Sequence, residues 1–210
     1  LSNLYAFKYV SMKFDPNDAT NSLSGHLYLT PEKLNDIQFE VEASNTDLQQ
    51  TLGSAIKLTY NRRNLLRLAD LLTLNARGGI EFLFANGQSG LFSSNFSLSG
   101  DWYLPKFITP IKLNGLSKYF NPTTHFGVNY NFYTRTGFYT MNNTSFSMSY
   151  DWRENTQKRH IVTPLTATFT KLTNTTAEFE KRLQGDNVLR NSFRDQLIIG
   201  SGYTFLFNNQ

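Results

Sequence analysis

Few residues in this chain are placed to do covalent chemistry. There are three histidines and no cysteine, which removes a thiolate metal site, a cysteine nucleophile and any disulfide framework. His26, His125 and His160 are far apart, and none has the neighbour four residues on that a helical metal site uses. Glu40 and Glu42 share one face of an alternating segment, an arrangement general acid–base catalysis could use. In a water-lined wall the same pair would be solvated or paired with Lys57 or Arg77. The residues therefore imply no enzyme, no metal and no cofactor. The net charge of +4 is scattered along the chain without a basic stripe, so nucleic acid is not an expected partner. Asn95, Asn142 and Asn174 each open an Asn-x-Ser/Thr acceptor pattern. The first two fall inside expected strands, where a glycan does not fit.

The elements that carry these residues are strands. Apolar and polar residues alternate with the period of two that defines a strand. Val10, Met12 and Phe14 lead to a turn at Asp15 to Asp18, followed by Leu23, Gly25, Leu27 and Leu29, ending at Pro31. Ile37, Phe39, Val41 and Ala43 alternate with Gln38, Glu40, Glu42 and Ser44. Leu52, Ile56, Leu58 and Tyr60 oppose Gly53, Ala55, Lys57 and Thr59. Leu72, Leu74, Ala76, Ile80 and Phe82 oppose Thr73, Asn75, Arg77 and Glu81. After an Asn-Gly turn at 86–90, Phe92, Phe96, Leu98, Trp102 and Leu104 oppose Ser93, Asn95, Ser97, Ser99 and Asp101. Phe126, Val128, Tyr130 and Phe132 oppose His125, Asn129, Asn131 and Tyr133. Ser145 to Phe169 reads as two strands joined by a charged turn, with Phe146, Met148, Tyr150 and Trp152 on one face. The last strand spans about Gln196 to Phe207. Residues 173–195 break the pattern. Thr175 with Glu178 fits a capping box, Phe179 and Leu183 are four apart, and Gly185 is a stop, so a short helix inside a long loop is expected.

Several of these strands reach the roughly 9–11 residues a tilted membrane strand needs, against about 5–6 in soluble sheets. Aromatic residues make up 15% of the chain. The mean hydropathy of −0.39 does not oppose a membrane, because alternate residues of a membrane barrel face water. A soluble sandwich also alternates and stays open here. Trp102 and Trp152 both fall on the apolar face, at strand ends that hairpin connections bring to the same side. An interfacial aromatic girdle of Trp102, Tyr103 and Trp152 is the expectation; two core tryptophans are the alternative.

The order of these pieces resembles the BamA/TamA-type outer-membrane assembly superfamily, the bacterial surface antigens. LYAFKYVSMKFDPNDATNSLSGHLYLTPEK resembles the last two strands of a POTRA domain, and NDIQFEVEAS the first barrel strand. LGSAIKLTYNRRNLLRLADLLTLNARGG is similar to the family's second strand, its turn containing Asn64 and Leu65, and its third strand. SGDWYLPKF resembles the end of the fourth. YDW followed by RHIVTP is similar to the Bacteroidota branch with its TamL-like proteins. The resemblance implies an all-β chain: residues 1–34 as the end of a POTRA-like periplasmic domain, and 35–210 as the N-terminal part of a transmembrane antiparallel β-barrel. Roughly eight strands are counted, where family barrels close with about 16. Leu1 is not a methionine and Gln210 directly follows an alternating segment, so the chain is expected to be a piece of something longer. A self-contained eight-stranded barrel is the physical alternative.

The resemblance further implies a function. Family members insert other β-barrel proteins by opening a weak seam, whose edge templates an incoming strand. Carried onto this chain, that edge is Ile37, Gln38, Phe39, Glu40, Val41, Glu42 and Ala43, acting through the backbone; an ordinary closed-barrel strand is the plain alternative. The implied partners are nascent outer-membrane proteins and outer-membrane lipid, with accessory lipoproteins or an inner-membrane TamB-like protein. A passive outer-membrane channel is the competing function. With the POTRA-like start in the periplasm, the turn after Trp152 lies on the periplasmic side. A cysteine at Asn155 is then expected to resist an impermeant thiol reagent on intact cells and to react once the outer membrane is opened; labelling of intact cells contradicts this orientation.

Overall fold

The computed structural model describes residues 5–17, 22–46, 51–85, 88–109 and 121–208. Among them, β1 (Phe7–Asn17) and β2 (Ser22–Pro31) form a two-stranded antiparallel sheet of their own. The remaining strands are β3 (Asn35–Thr46), β4 (Thr51–Arg63), β5 (Leu71–Ala85), β6 (Gln88–Leu104), β7 (Thr123–Arg135), β8 (Tyr139–Arg153), β9 (Lys158–Thr175) and β10 (Gln196–Phe207). They make one eight-stranded antiparallel sheet in chain order, with β3 and β10 as its two edges. The all-β expectation holds, and the eight strands fall where the alternation put them. No ladder joins β3 to β10, so the described sheet is not a self-contained closed barrel.

Burial in this sheet is inverted. On β4, Leu52, Ile56 and Leu58 are 52%, 53% and 46% exposed, while Thr51, Ala55 and Thr59 on the opposite face are 4%, 5% and 8% exposed. A soluble sheet buries its apolar face against a second layer. Here the polar face is the enclosed one. The sheet curls toward it: Glu42 on β3 and Tyr133 on β7 line one cavity of about 360 Å³, although three strands lie between them. The strand ends also step sideways. Arg63 at the end of β4 is level, through successive ladders, with Leu71, Tyr103, His125 and Ser149, whereas β8 runs on to Arg153. Tilted strands in a curved wall produce such a stagger.

Of the irregularities in the ladders, two bear on the expected faces. β6 gains a residue against β5 at Phe92, since Ser93 faces Glu81 but Leu91 faces Phe82. The alternation put Phe92 on the apolar face; the bulge removes it from that row and its ring lies under the Arg135 guanidinium, 3.2 Å from the ring centroid. β9 gains a residue between Val162 and Leu165 against β8, and between Thr163 and Thr166 against β10. Pro164 sits there, at the one kind of interior position where a residue without an N–H breaks no ladder bond. In the small sheet, β1 continues through Pro16 to pair Asn17 with Ser22. The turn expected to begin at Asp15 therefore starts later, and Asp18 lies outside the described residues, as do Asn86 and Gly87.

The loop after β9 holds two helices where one was expected, α1 (Ala177–Gly185) and α2 (Asn187–Ser192). The N-cap of α1 is Thr176, whose Oγ1 accepts the Phe179 N–H at 3.3 Å. Thr175 instead donates to Glu180 Oε1 at 2.6 Å, so the expected capping box does not form. Asp186 ends α1 and caps α2, accepting from Val188 and Leu189. Phe179, 5% exposed, fixes α1 on the β7–β8 turn, with Tyr139 and Phe193 rings 5.1 and 5.2 Å away.

At the opposite end, where β3 starts, residues 64–70 join β4 to β5. Asn64, Arg67 and Ala69 have φ of 58°, 59° and 56°, a region non-glycine residues occupy at a cost. Asp70 holds this turn in place. It is fully buried, and its carboxylate accepts the Leu66 N–H at 3.1 Å and the Trp102 ring N–H at 3.0 Å. Burial pushes its pKa up, but the bonds from Trp102 and from the backbone N–H groups of Leu66, Asp70 and Leu68 outweigh burial and hold it below the usual carboxylate range. The folded state thus binds a proton less readily than the unfolded chain here. The stabilisation is complete above the unfolded pKa and is lost as pH falls through the lowered folded one. Asp70→Ala, which leaves the Trp102 N–H unpaired, is expected to lower stability by about 1–3 kcal/mol in urea unfolding of the reconstituted protein. Asp70→Asn should flatten the acid side of the stability curve; an unchanged acid limb shows that other carboxylates set it. For topology labelling, Asn155 accepts the N–H groups of Gln157 and Lys158 at 2.9 and 2.8 Å, so exposed Thr156 is the position where a reporter cysteine leaves the turn intact.

Candidate functional site

The expected edge residues are together, and they are at an edge. Ile37 to Ala43 lie on β3, which is bonded to β4 on one side only. An edge strand presents its outward N–H and C=O groups to whatever can pair with them. Ile37, Phe39 and Val41 stand on the outer face, 68%, 65% and 68% exposed. Gln38, Glu40 and Glu42 stand on the inner face.

The inner face is where β3 is tied down. Glu40 is directly opposite Lys57 in the ladder, and the two pair at 3.1 Å. Glu42 pairs at 2.7 Å with Arg77, which belongs to β5, so this ion pair passes over β4. The crossing is open because the β4 residue beside it is Ala55, 5% exposed. The alternation had left Glu40 and Glu42 as solvated charges or partners of Lys57 and Arg77; they are the partners. Behind them the wall is a run of polar bonds. Ser93 donates to Glu81 at 2.6 Å, Thr59 donates to Asn75 at 2.8 Å, and Asn75 donates to Ser99 at 3.1 Å.

The aromatic belt is only partly as expected. Trp102 and Trp152 are on the outer face near the end where β3 starts. The two share that boundary with a segment that the alternation did not place. Residues 105–109 fold back over the outer face. Phe107 meets Tyr150 and Trp152 edge-on at 5.4 and 5.6 Å, and Tyr150 donates to the Ile108 carbonyl at 2.7 Å. Leu104 and Thr124 beneath are fully buried. His160 stacks on Trp152 at 5.1 Å. Tyr103 does not belong to this belt. It neighbours Trp102 on a strand, so it points to the other face, where it stacks on His125 at 4.4 Å.

His125 shows a second arrangement that spacing did not reveal. Its Nε2 lies 2.9 Å from Asp101 Oδ1, and its Nδ1 lies 3.4 Å from Ser149 Oγ. The residue types are those of a Ser-His-Asp triad, but the ring nitrogens are exchanged: a triad has the aspartate on Nδ1 and the serine on Nε2. The serine contact is at the outer limit of a hydrogen bond, and each residue sits on a different neighbouring strand, so the trio ties β6, β7 and β8 together across the inner face. The three positions are 24 residues apart in turn, which no local pattern could have joined.

The tie between β3 and the wall is open to test. Ala55→Leu puts a larger side chain under the Glu42–Arg77 crossing, at an expected cost of about 1–3 kcal/mol. Hydrogen exchange should then quicken in β3 while β6 and β7 keep their protection; uniform quickening means that the change loosens the whole wall. Compared with known proteins, the chain matches no family model, no curated protein and no solved structure.

Proposed function

We propose that the chain is the N-terminal part of an outer-membrane β-barrel, and that its β3 edge, Ile37 to Ala43, pairs with strands of nascent outer-membrane proteins to help insert them. The membrane part of this reading is supported by the inverted burial: an apolar outer face suits lipid, and a polar, hydrogen-bonded inner wall suits a wet lumen.

The observation that carries the assembly reading is the difference between the two edges. β10, QLIIGSGYTFLF, has no charged residue, and Leu197, Ile198 and Ile199 are 62%, 58% and 65% exposed. Apart from the bulge in its ladder with β9, it has no charge or proline to keep a bare edge from indiscriminate pairing, so it suits a strand that is permanently covered. β3 carries Asp36, Glu40 and Glu42, with the two glutamates pointing inward, a device that lets an edge remain unpaired without aggregating. An edge built to be open at times is what templated strand pairing uses.

The small sheet fits a POTRA-like end. Its face of Met12, Phe14, Leu23 and Leu27 is covered by nothing among the described residues, with Met12 57% and Phe14 56% exposed. A two-stranded sheet needs a further layer to be stable, which helices of a larger periplasmic domain would supply. Accessory lipoproteins or an inner-membrane TamB-like protein would meet the assembly on that side.

The test uses the full-length protein in liposomes, with a Val41→Cys change and a second cysteine on the last barrel strand. Uncross-linked protein is expected to speed the folding of a reporter barrel, and closing the disulfide is expected to abolish the gain. Steady ion conductance that survives cross-linking, with no gain in folding, would replace this reading with a passive channel.

A further inference from the structure

The outer face is not evenly packed, and one hollow in it has the shape and chemistry of a lipid site. Two cross-strand rows adjoin there. Leu58, Ala76, Leu98 and Tyr130 are level across β4 to β7, and so are Tyr60, Leu74, Gly100 and Val128. Ala76 and Gly100 are the small members, diagonal to each other, and the larger side chains stand up on both sides. The result is a furrow of about 440 Å³ whose walls are Leu58, Leu74, Leu98 and Val128 and whose floor is Ala76 and Gly100. Its continuation along β5 is Gly78, again without a side chain, and a Cβ at Gly100 would come within 3.3 Å of Leu74.

The mouth of the furrow is polar and positive. The next row toward the end where β3 starts is Arg62, Leu72, Trp102 and Phe126. Arg62 is on the same outer face as Tyr60, one side-chain repeat or about 7 Å further along β4. Its Nη1 donates to Asn35 Oδ1 at 2.6 Å, and the Tyr60 hydroxyl donates to the same oxygen at 2.9 Å. Among the described residues no carboxylate pairs with Arg62. Its other N–H groups are left to bind a phosphate, for which a guanidinium is well suited. Trp102, with its ring N–H already held by Asp70, stands at the same level, where a headgroup boundary is expected.

We propose that this furrow holds one acyl chain of an anionic phospholipid, with the headgroup phosphate on Arg62. The inference rests on the membrane reading above and goes beyond it, since a bare outer face binds lipid without selecting it. The occupant is a lipid rather than a protein strand because the furrow offers no open backbone edge, the four strands that line it being interior to the sheet.

The full-length protein would be reconstituted in phosphatidylethanolamine vesicles carrying a trace of phosphatidylglycerol or phosphatidylcholine with a photoactivatable acyl chain, and cross-links mapped by mass spectrometry. Phosphatidylglycerol is expected to label residues 74–76 and 98–100 roughly threefold more than phosphatidylcholine, the size one exposed ion pair supplies, and to show no such preference at Phe146 and Met148 on the same outer face. Arg62→Gln should bring phosphatidylglycerol down to the phosphatidylcholine level. Gly100→Leu should remove the labels in the furrow and leave those at Phe146 and Met148. Equal labelling by the two lipids, or a preference that Arg62→Gln leaves unchanged, overturns the site while the membrane reading stands. No label anywhere on the outer face overturns the membrane reading itself. Where Gly100→Leu does not fold, the Arg62→Gln comparison decides alone, because it changes only the end of one side chain.

Discussion

Everything in this sheet depends on its curling toward the polar face. Once the polar side is the concave side, its donors and acceptors lose part of their water and find partners within the wall. The partners are present and are mostly on adjacent strands: Glu40 with Lys57, Glu81 with Ser93, Thr59 with Asn75, Asp101 with His125. Curvature also crowds the inner side chains, and the small residues relieve it. A Cβ at Gly79 would stand 2.5 Å from Asn95 Oδ1 and 3.1 Å from Ala55 Cβ, so a larger residue there would push β4 and β6 apart on their inner sides. Small residues and paired charges are therefore two answers to one constraint. The convex side has the opposite problem: its side chains diverge and stay largely exposed, which is what the proposed lipid surroundings would accommodate.

Much of this was legible in the sequence because strand period and face are local properties. Two-residue alternation located eight strands and sorted Ile37, Phe39 and Val41 from Gln38, Glu40 and Glu42. It also suggested Lys57 and Arg77 as partners, since both sit on the polar face of the next segments. It failed where one residue changes the count. The bulge at Phe92 is invisible to a pattern that only asks whether apolar residues recur, and Tyr103 was grouped with Trp102 by residue type although adjacency puts the two on opposite faces. The cap of α1 shifted by one residue because Thr175 and Thr176 are both competent caps. What chose Thr176 is its bonds to Gly137 and Phe138 across the sheet end, a contact 39 residues distant.

The site was less legible than the fold, for a reason that lies in its chemistry. The proposed strand templating would use main-chain groups, which every residue has, so no side-chain motif announces it. The edge position of β3 follows only from the order of the whole sheet. The Asp101–His125–Ser149 trio and the fold-back of residues 105–109 onto Tyr150 and Trp152 likewise need three strands in register before they exist. In each case the information is in the pairing, which the alternation leaves undetermined.

The attachment of β3 differs in kind from that of the strands behind it. An interior strand gives up two ladders when it leaves; β3 gives up one. Its outer apolar side chains hold it only weakly, being about two-thirds exposed at Ile37, Phe39 and Val41; the firmer outer tie is at its start, where Tyr60 and Arg62 of β4 donate to Asn35. Beside these stand the β4 ladder and the inner ion pairs, the latter part-exposed on both partners and so of modest strength. Those pairs nonetheless decide geometry. Glu42 reaches past β4 to Arg77, so the inner face of β3 is pinned to β5, while among the described residues no strand pairs with its other edge. A strand held in this way keeps its register with β4 when something pairs with its other side, because the ions fix which residue faces which, and a one-residue slip would carry Glu40 and Glu42 to the apolar face. The edge is therefore fixed toward the wall and unpaired on its other side among the described residues, which is the arrangement the proposed strand pairing would use.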